Sequence, residues 1–157
     1  MILDSGERRE FNSGAVRDMA EGKGRFDLTA LDTVADVVIV PNEKGYVLRY
    51  LSNYIKSRDG WDFRMAIYTL CTEKGVTIYD AMMEYSKHCE NGAAKYGEHN
   101  VDRGIPAHSF VDSAVRHYMK WMRGDNDEDH WVACLWNLMW LKWTLDYKPE
   151  FDDLKVE

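Results

Sequence analysis

The chain has 157 residues, 45% hydrophobic and 13% aromatic, which is enough for one sizeable core and too little for two independent domains. Its 20 Lys and Arg against 27 Asp and Glu leave a formal charge of −7, which excludes a general surface for nucleic-acid polymers, since those neutralise phosphates with clustered cations. Cys71, Cys89 and Cys134 form no CxxC pair, so neither a disulfide framework nor a zinc ribbon is expected and a reducing cytosol fits best. The first residues are polar and no apolar run approaches the ~20 residues that span a bilayer, so a soluble cytoplasmic protein with no membrane partner is expected.

Residues 1–27 are rich in glycine and charge without apolar periodicity and read as an extended or looped arm. The run VADVVIVP at 34–41 is β-branched and ends at Pro41, consistent with a short strand or a buried helical turn. Apolar residues at three-to-four spacing predict helices over 45–58 (Val47, Leu48, Leu51, Tyr54, Ile55) and 61–73 (Phe63, Ala66, Ile67, Leu70). Thr77 is an N-cap candidate with Asp80 three residues on, a variant of the capping box. That helix is expected to break near Asn91-Gly92 and again at Tyr96-Gly97. Pro106 suits the first turn of a helix to Arg123, Gly124 its end, and residues 128–146 the last helix. The expected fold is an all-α helical bundle with an irregular N-terminal arm and a small β element.

The stretch GDNDEDHWVACLWN, residues 124–137, sets four acidic side chains and a histidine before an apolar helix. Carboxylates at a helix start serve as caps, and clustered carboxylates bind divalent cations; the stretch alone fits both. Asp127, His130 and Asn137 fall near one helical face, with the small Ala133 between them. Ser113, Arg116 and His117 share a face of the preceding helix, and a short turn makes the two helices antiparallel neighbours. If structural, Arg116 pairs with Asp112 or with the acidic turn. Trp136, Trp140 and Trp143 form an aromatic stripe that core packing alone explains. EGKGR at 21–25 is not a P-loop, because GxxxxGK[ST] and a preceding strand are both missing, yet Arg17, Lys23 and Arg25 are candidates for meeting phosphates.

Taken together, DSGERREFNSGAVRD, GKGRFDL, ENGAAKYGEHN, DSAVRH and GDNDEDHWVACLWN resemble the phage-encoded dATP/dGTP diphosphohydrolase family, grouped with the MazG-like all-α nucleotide pyrophosphohydrolases. The resemblance covers residues 4–28 and 88–138. It implies one domain over 1–157: an arm to 28, an insertion at 30–80, and a helical core over 81–147. The implied activity is metal-dependent hydrolysis of a purine deoxynucleoside triphosphate to the monophosphate and pyrophosphate, in a homo-oligomer, in the host cytoplasm if the chain is phage-encoded. Non-catalytic sequestration of a nucleotide is the alternative.

The implied cofactor is Mg²⁺ or Mn²⁺ on Glu90, Glu128 and Asp129. Glu128, His130 and His117 are the implied catalytic groups, with Arg17, Lys23, Arg25, Lys95, Tyr96, Asn100, Arg116 and Asn137 around the substrate. The chain departs from the MazG-like pattern in having no helical Glu-x-x-Glu and Glu-x-x-Asp pair. Asn137 stands where that pattern ends in Asp.

Overall fold

The computed structural model describes residues 6–155. Asp4 and Ser5, which open the first motif, lie outside the described residues. The helical expectation is met by six helices: α1 Leu31–Val38, α2 Val47–Ser57, α3 Gly60–Lys74, α4 Ile78–Tyr96, α5 Ala107–Arg123 and α6 His130–Tyr147. The VADVVIVP run is therefore mostly helix. The small β element lies instead in the arm, where β1 (Arg8–Glu10) and β2 (Val16–Asp18) pair antiparallel with Arg9 opposite Arg17.

The local signals explain most helix ends. Thr77 Oγ1 accepts from the Asp80 N–H at 3.1 Å while Asp80 returns a bond to the Thr77 N–H, closing the expected capping box. Gly75 and Gly124 end α3 and α5 with φ of 82° and 89°, which glycine adopts without steric cost. Pro106 sits one residue earlier than expected, as the N-cap of α5. The break at Asn91-Gly92 is a correction: α4 runs unbroken to Tyr96. A glycine in mid-helix costs only ~1 kcal/mol against alanine, which packing against α6 can offset. α2 lacks a side-chain cap of its own; Glu73 of α3 accepts from the N–H groups of Gly45 and Tyr46 (2.8 and 3.3 Å) and also from the Tyr118 hydroxyl at 2.7 Å.

The antiparallel pair α5–α6 is the centre of the molecule. Leu135, Leu138 and Leu141 of α6 and Phe110, Ala114, Val115 and Tyr118 of α5 are almost fully buried, and one continuous core also takes in Leu48, Leu51, Leu70 and Ala15. Trp131 is the buried tryptophan, its Nε1 donating to the Leu70 carbonyl at 3.0 Å. The stripe read as core behaves differently: Trp136, Trp140 and Trp143 are half-buried and follow one another along α6, the first pair tilted with centroids 6.3 Å apart and the second edge to face at 5.3 Å. His88 of α4 packs on Trp136 at 5.9 Å, and burial pushes its pKa down to about 4.

The arm is held across this bundle by polar clasps. Asp112, buried in α5, accepts from the Phe26 N–H at 2.7 Å and from Arg116 at 2.9 and 3.0 Å; Arg116 also donates to the Gly24 carbonyl. Asn100 pairs with both the N–H and the carbonyl of Val16. Asp18 meets Lys95 at 3.0 Å and the Tyr96 hydroxyl at 2.8 Å.

Two outcomes follow from these contacts. Asp112→Ala removes the acceptor of the Phe26 N–H and the charge partner of Arg116, so chemical denaturation should show a loss of about 1–3 kcal/mol, with proteolysis of the arm at Lys23 and Arg25 accelerating in parallel. A change within experimental error would show that the arm is not held by this carboxylate. For His88, the folded pKa lies below the unfolded value, so the unfolded chain takes up the proton first as pH falls from about 6.5 toward 4. Melting temperature should drop through that window, and His88→Gln should make the drop shallower; equal slopes would refute the assignment.

Candidate functional site

Between β2 with the following Met19 and Ala20, the C-terminal half of α4, and the facing sides of α5 and α6 lies a cavity of about 880 Å³. That volume falls within the ~300–1,000 Å³ of small-molecule sites. One stretch of its wall is aromatic, Trp136 and Trp140 with the His88 ring, which is neutral at pH 7. Another is cationic. Arg9, Arg17, Lys23, Arg116 and Lys120 all line this cavity in a chain whose net charge is −7.

Arg17 is the most constrained of the five. Its Nη2 donates to Ser113 Oγ at 2.9 Å and to Asn137 Oδ1 at 3.0 Å, and its guanidinium lies over the rings of Phe110 and Trp136. Nη1 has no protein partner, and neither does the Nε of Arg9. Burial first, and the charge of Arg9 second, lower the Arg17 pKa to about 10. It stays protonated at neutral pH with one donor unspent, an arrangement that an anion would complete.

The end of the cavity near the α5–α6 turn gathers imidazole and carboxylate. His130, 2% exposed, faces Asp127 Oδ1 with Nε2 at 2.6 Å and His117 Nδ1 with its own Nδ1 at 2.9 Å. Glu128 Oε1 lies 3.4 Å from the His117 Nδ1 and 3.7 Å from the His130 Nδ1. Burial, then the neighbouring His130 and Arg116, push the His117 pKa down to about 3. Among the described residues two groups of donor atoms converge closely enough to hold an ion, His117–Glu128–His130 and Asp125–Asp127–His130.

Of the residues singled out in the sequence, Arg17, Lys23, Tyr96, Asn100, Arg116, His117, Glu128 and Asn137 line the cavity. The others are placed elsewhere. Arg25 is exposed and pairs with Asp27 at 2.6 Å. Lys95 is turned to Asp18. Glu90 is exposed on α4, and Asp129 is the N-cap of α6, accepting from the Val132 N–H at 3.1 Å; neither belongs to a converging donor group. The cap reading of the acidic stretch thus describes Asp129, while Asp125, Asp127 and Glu128 belong to the groups of converging donor atoms. Tyr96 and Asn100, although they line the cavity, spend their polar atoms on the arm, and Arg116 is paired with Asp112.

Several lining residues, among them Lys120, Arg9, His88 and Trp140, were not singled out as site residues in the sequence. Lys120 lies three and four residues beyond His117 and Arg116, a helical spacing that marks it; Arg9, His88 and Trp140 carried no local signal of the cavity.

Neither a curated protein nor a solved structure matches the chain. Residues 68–154 match the family described as dATP/dGTP diphosphohydrolase, N-terminal, from within α3 through α6 and so across three of the helices that wall the cavity or close its core. That span is more than half of the 157 residues, and the chain belongs to the dATP/dGTP diphosphohydrolase family.

Proposed function

We propose that the chain is a divalent-cation-dependent hydrolase that cleaves a purine deoxynucleoside triphosphate between the α and β phosphates, releasing the monophosphate and pyrophosphate. The observation that carries this reading is the convergence of five cations on one cavity of an acidic chain, with an unspent donor on Arg17. A triphosphate is the polyanion that the family's substrate would bring there. Arg17, Lys23 and Lys120 would hold the phosphates; Arg116, anchored by Asp112, adds a fixed positive charge. Trp136, Trp140 and neutral His88 offer an apolar face to the base, whose ring can stack there without desolvating a charge.

In the reaction, a water oxygen forms a bond to the α-phosphorus and the α–β bridging oxygen leaves with pyrophosphate. The water's proton passes to the second carboxylate oxygen of Glu128, whose Oε1 lies toward His117 and His130. Hydrolysis needs negative charge on the phosphates neutralised as the bond breaks, and preorganised cations do this without reorganising. His117, Glu128 and His130 bring their donor atoms close enough together to hold the divalent cation that such a reaction would use. Such an ion supplies charge neutralisation at the phosphates and polarises a phosphoryl oxygen.

Incubating the protein with each deoxynucleoside triphosphate and Mg²⁺ or Mn²⁺, followed by phosphorus NMR, should show monophosphate and pyrophosphate for dATP or dGTP. Arg17→Ala should lower kcat/KM by about 10²-fold, with a melting curve showing whether the fold is kept. Tight nucleotide binding without turnover would instead make the chain a sequestering protein, and release of orthophosphate would place the cut at the wrong anhydride.

A further inference from the structure

We infer that the His117–Glu128–His130 group is a three-ligand site for a first-row transition ion of the Mn²⁺, Co²⁺ or Zn²⁺ class, and that it selects against Mg²⁺. The inference deepens the hydrolase reading by naming the kind of ion, and it rests on that reading only for the ion's purpose.

The donors are two imidazole nitrogens and one carboxylate oxygen. Their mutual separations are 2.9 Å between the Nδ1 atoms, 3.4 Å from His117 to Glu128 Oε1, and 3.7 Å from His130 to the same oxygen. Ligand atoms about 2.0–2.2 Å from a four-coordinate ion stand about 3.3–3.6 Å apart, so this triangle needs adjustments of only a few tenths of an ångström to close on one. Two protein imidazoles directed at each other through the same ring position have a further oddity. An ionised Asp127 accepts from Nε2–H of His130 at 2.6 Å, which leaves the His130 Nδ1 as a lone pair aimed at His117 and Glu128. A carboxylate fixing the far nitrogen of a buried imidazole is the outer support that metal-bound histidines almost always have.

The rival group fits less well. Asp125 is engaged by Arg123 at 2.8 and 2.5 Å, and Asp127 is exposed, so an ion there would compete with a guanidinium and with water. At the inferred site His130 is almost fully buried, while Glu128 and His117 line the cavity, leaving the open coordination positions on the substrate side. Two nitrogen donors decide the ion class. Mg²⁺ demands oxygen ligands in octahedral array and dehydrates reluctantly, whereas imidazole suits Mn²⁺ and the later divalent ions, with affinity rising from Mn²⁺ to Zn²⁺.

The test is made on the chelator-treated full chain without nucleotide. Isothermal titration should give Co²⁺ and Zn²⁺ affinities at least about tenfold above that for Mg²⁺. Co²⁺ should produce the visible absorption of a low-coordinate site with imidazole ligands. His117→Ala should abolish that spectrum, and Asp127→Asn, which touches no ion, should weaken Co²⁺ binding by about 10–100-fold. The native ion ranking needs no variant, so a folding defect in His117→Ala leaves the inference open to refutation. Equal affinity for Mg²⁺ and Co²⁺, or an unchanged Co²⁺ spectrum in folded His117→Ala, overturns it while leaving nucleotide hydrolysis standing. A Co²⁺ site that obeys the ranking in a protein that never releases pyrophosphate upholds the inference and sinks the hydrolase reading instead.

Discussion

The carboxylate of Asp112 is the constraint on which the site depends. Strands of three residues cannot hold themselves together in water, and the hairpin has almost no apolar face to bury. Its closure over the bundle is made by charge and amide groups of the helices. Asp112 grips the chain at Phe26, Asn100 takes the place of a third strand beside Val16, and Asp18 reaches back to Lys95 and Tyr96. Each clasp joins the arm to a different part of the α4–α5 region. The cavity is therefore not a gap left by poor packing but a space bounded on one side by a segment that these polar clasps secure together with the packing of Phe11, Ala15 and Phe26 on the core.

The same carboxylate tempers an electrostatic difficulty. Arg9, Arg17 and Arg116 crowd each other across a site of low polarity, and the depressed pKa of Arg17 reflects burial and the nearness of Arg9. Asp112 offsets part of that repulsion, as its stabilising influence on both Arg9 and Arg17 shows. Asp18, Asp102, Asp127 and Glu128 also line the cavity, so the cationic stretch is one part of a wall that carries carboxylates elsewhere. A polyphosphate bound there would relieve repulsion that the empty protein tolerates, so affinity for an anion is built into the ground state.

What could be read in the sequence was what local chemistry decides. The Thr77–Asp80 box, the glycine ends of α3 and α5 and the apolar spacing of α2, α3, α5 and α6 depend on neighbours a few residues apart. So did the shared face of Ser113, Arg116 and His117, all of which line the cavity. The hairpin was not legible, because its pairing is completed by Asn100, 84 residues away from Val16. Lys95, Tyr96 and Asn100 looked like substrate contacts for the same reason: a polar cluster after a helix shows that partners are needed, not whether they are a nucleotide or the chain's own arm. The continuity of α4 through Gly92 was hidden because propensity is local and the packing that outweighs it is not.

Asn137 holds Arg17 in place without neutralising it. Its Nδ2 donates to the Ala133 carbonyl at 2.8 Å, which fixes the amide so that Oδ1 faces Arg17. An aspartate there would accept from the same guanidinium but would also cancel its charge, forming an ion pair inside a nearly closed wall. With asparagine, Arg17 is oriented by the hydrogen bonds it donates to Ser113 and Asn137 while keeping its full positive charge and the unspent Nη1. About two turns of α6 separate Asn137, which positions Arg17, from His130 of the converging donor group.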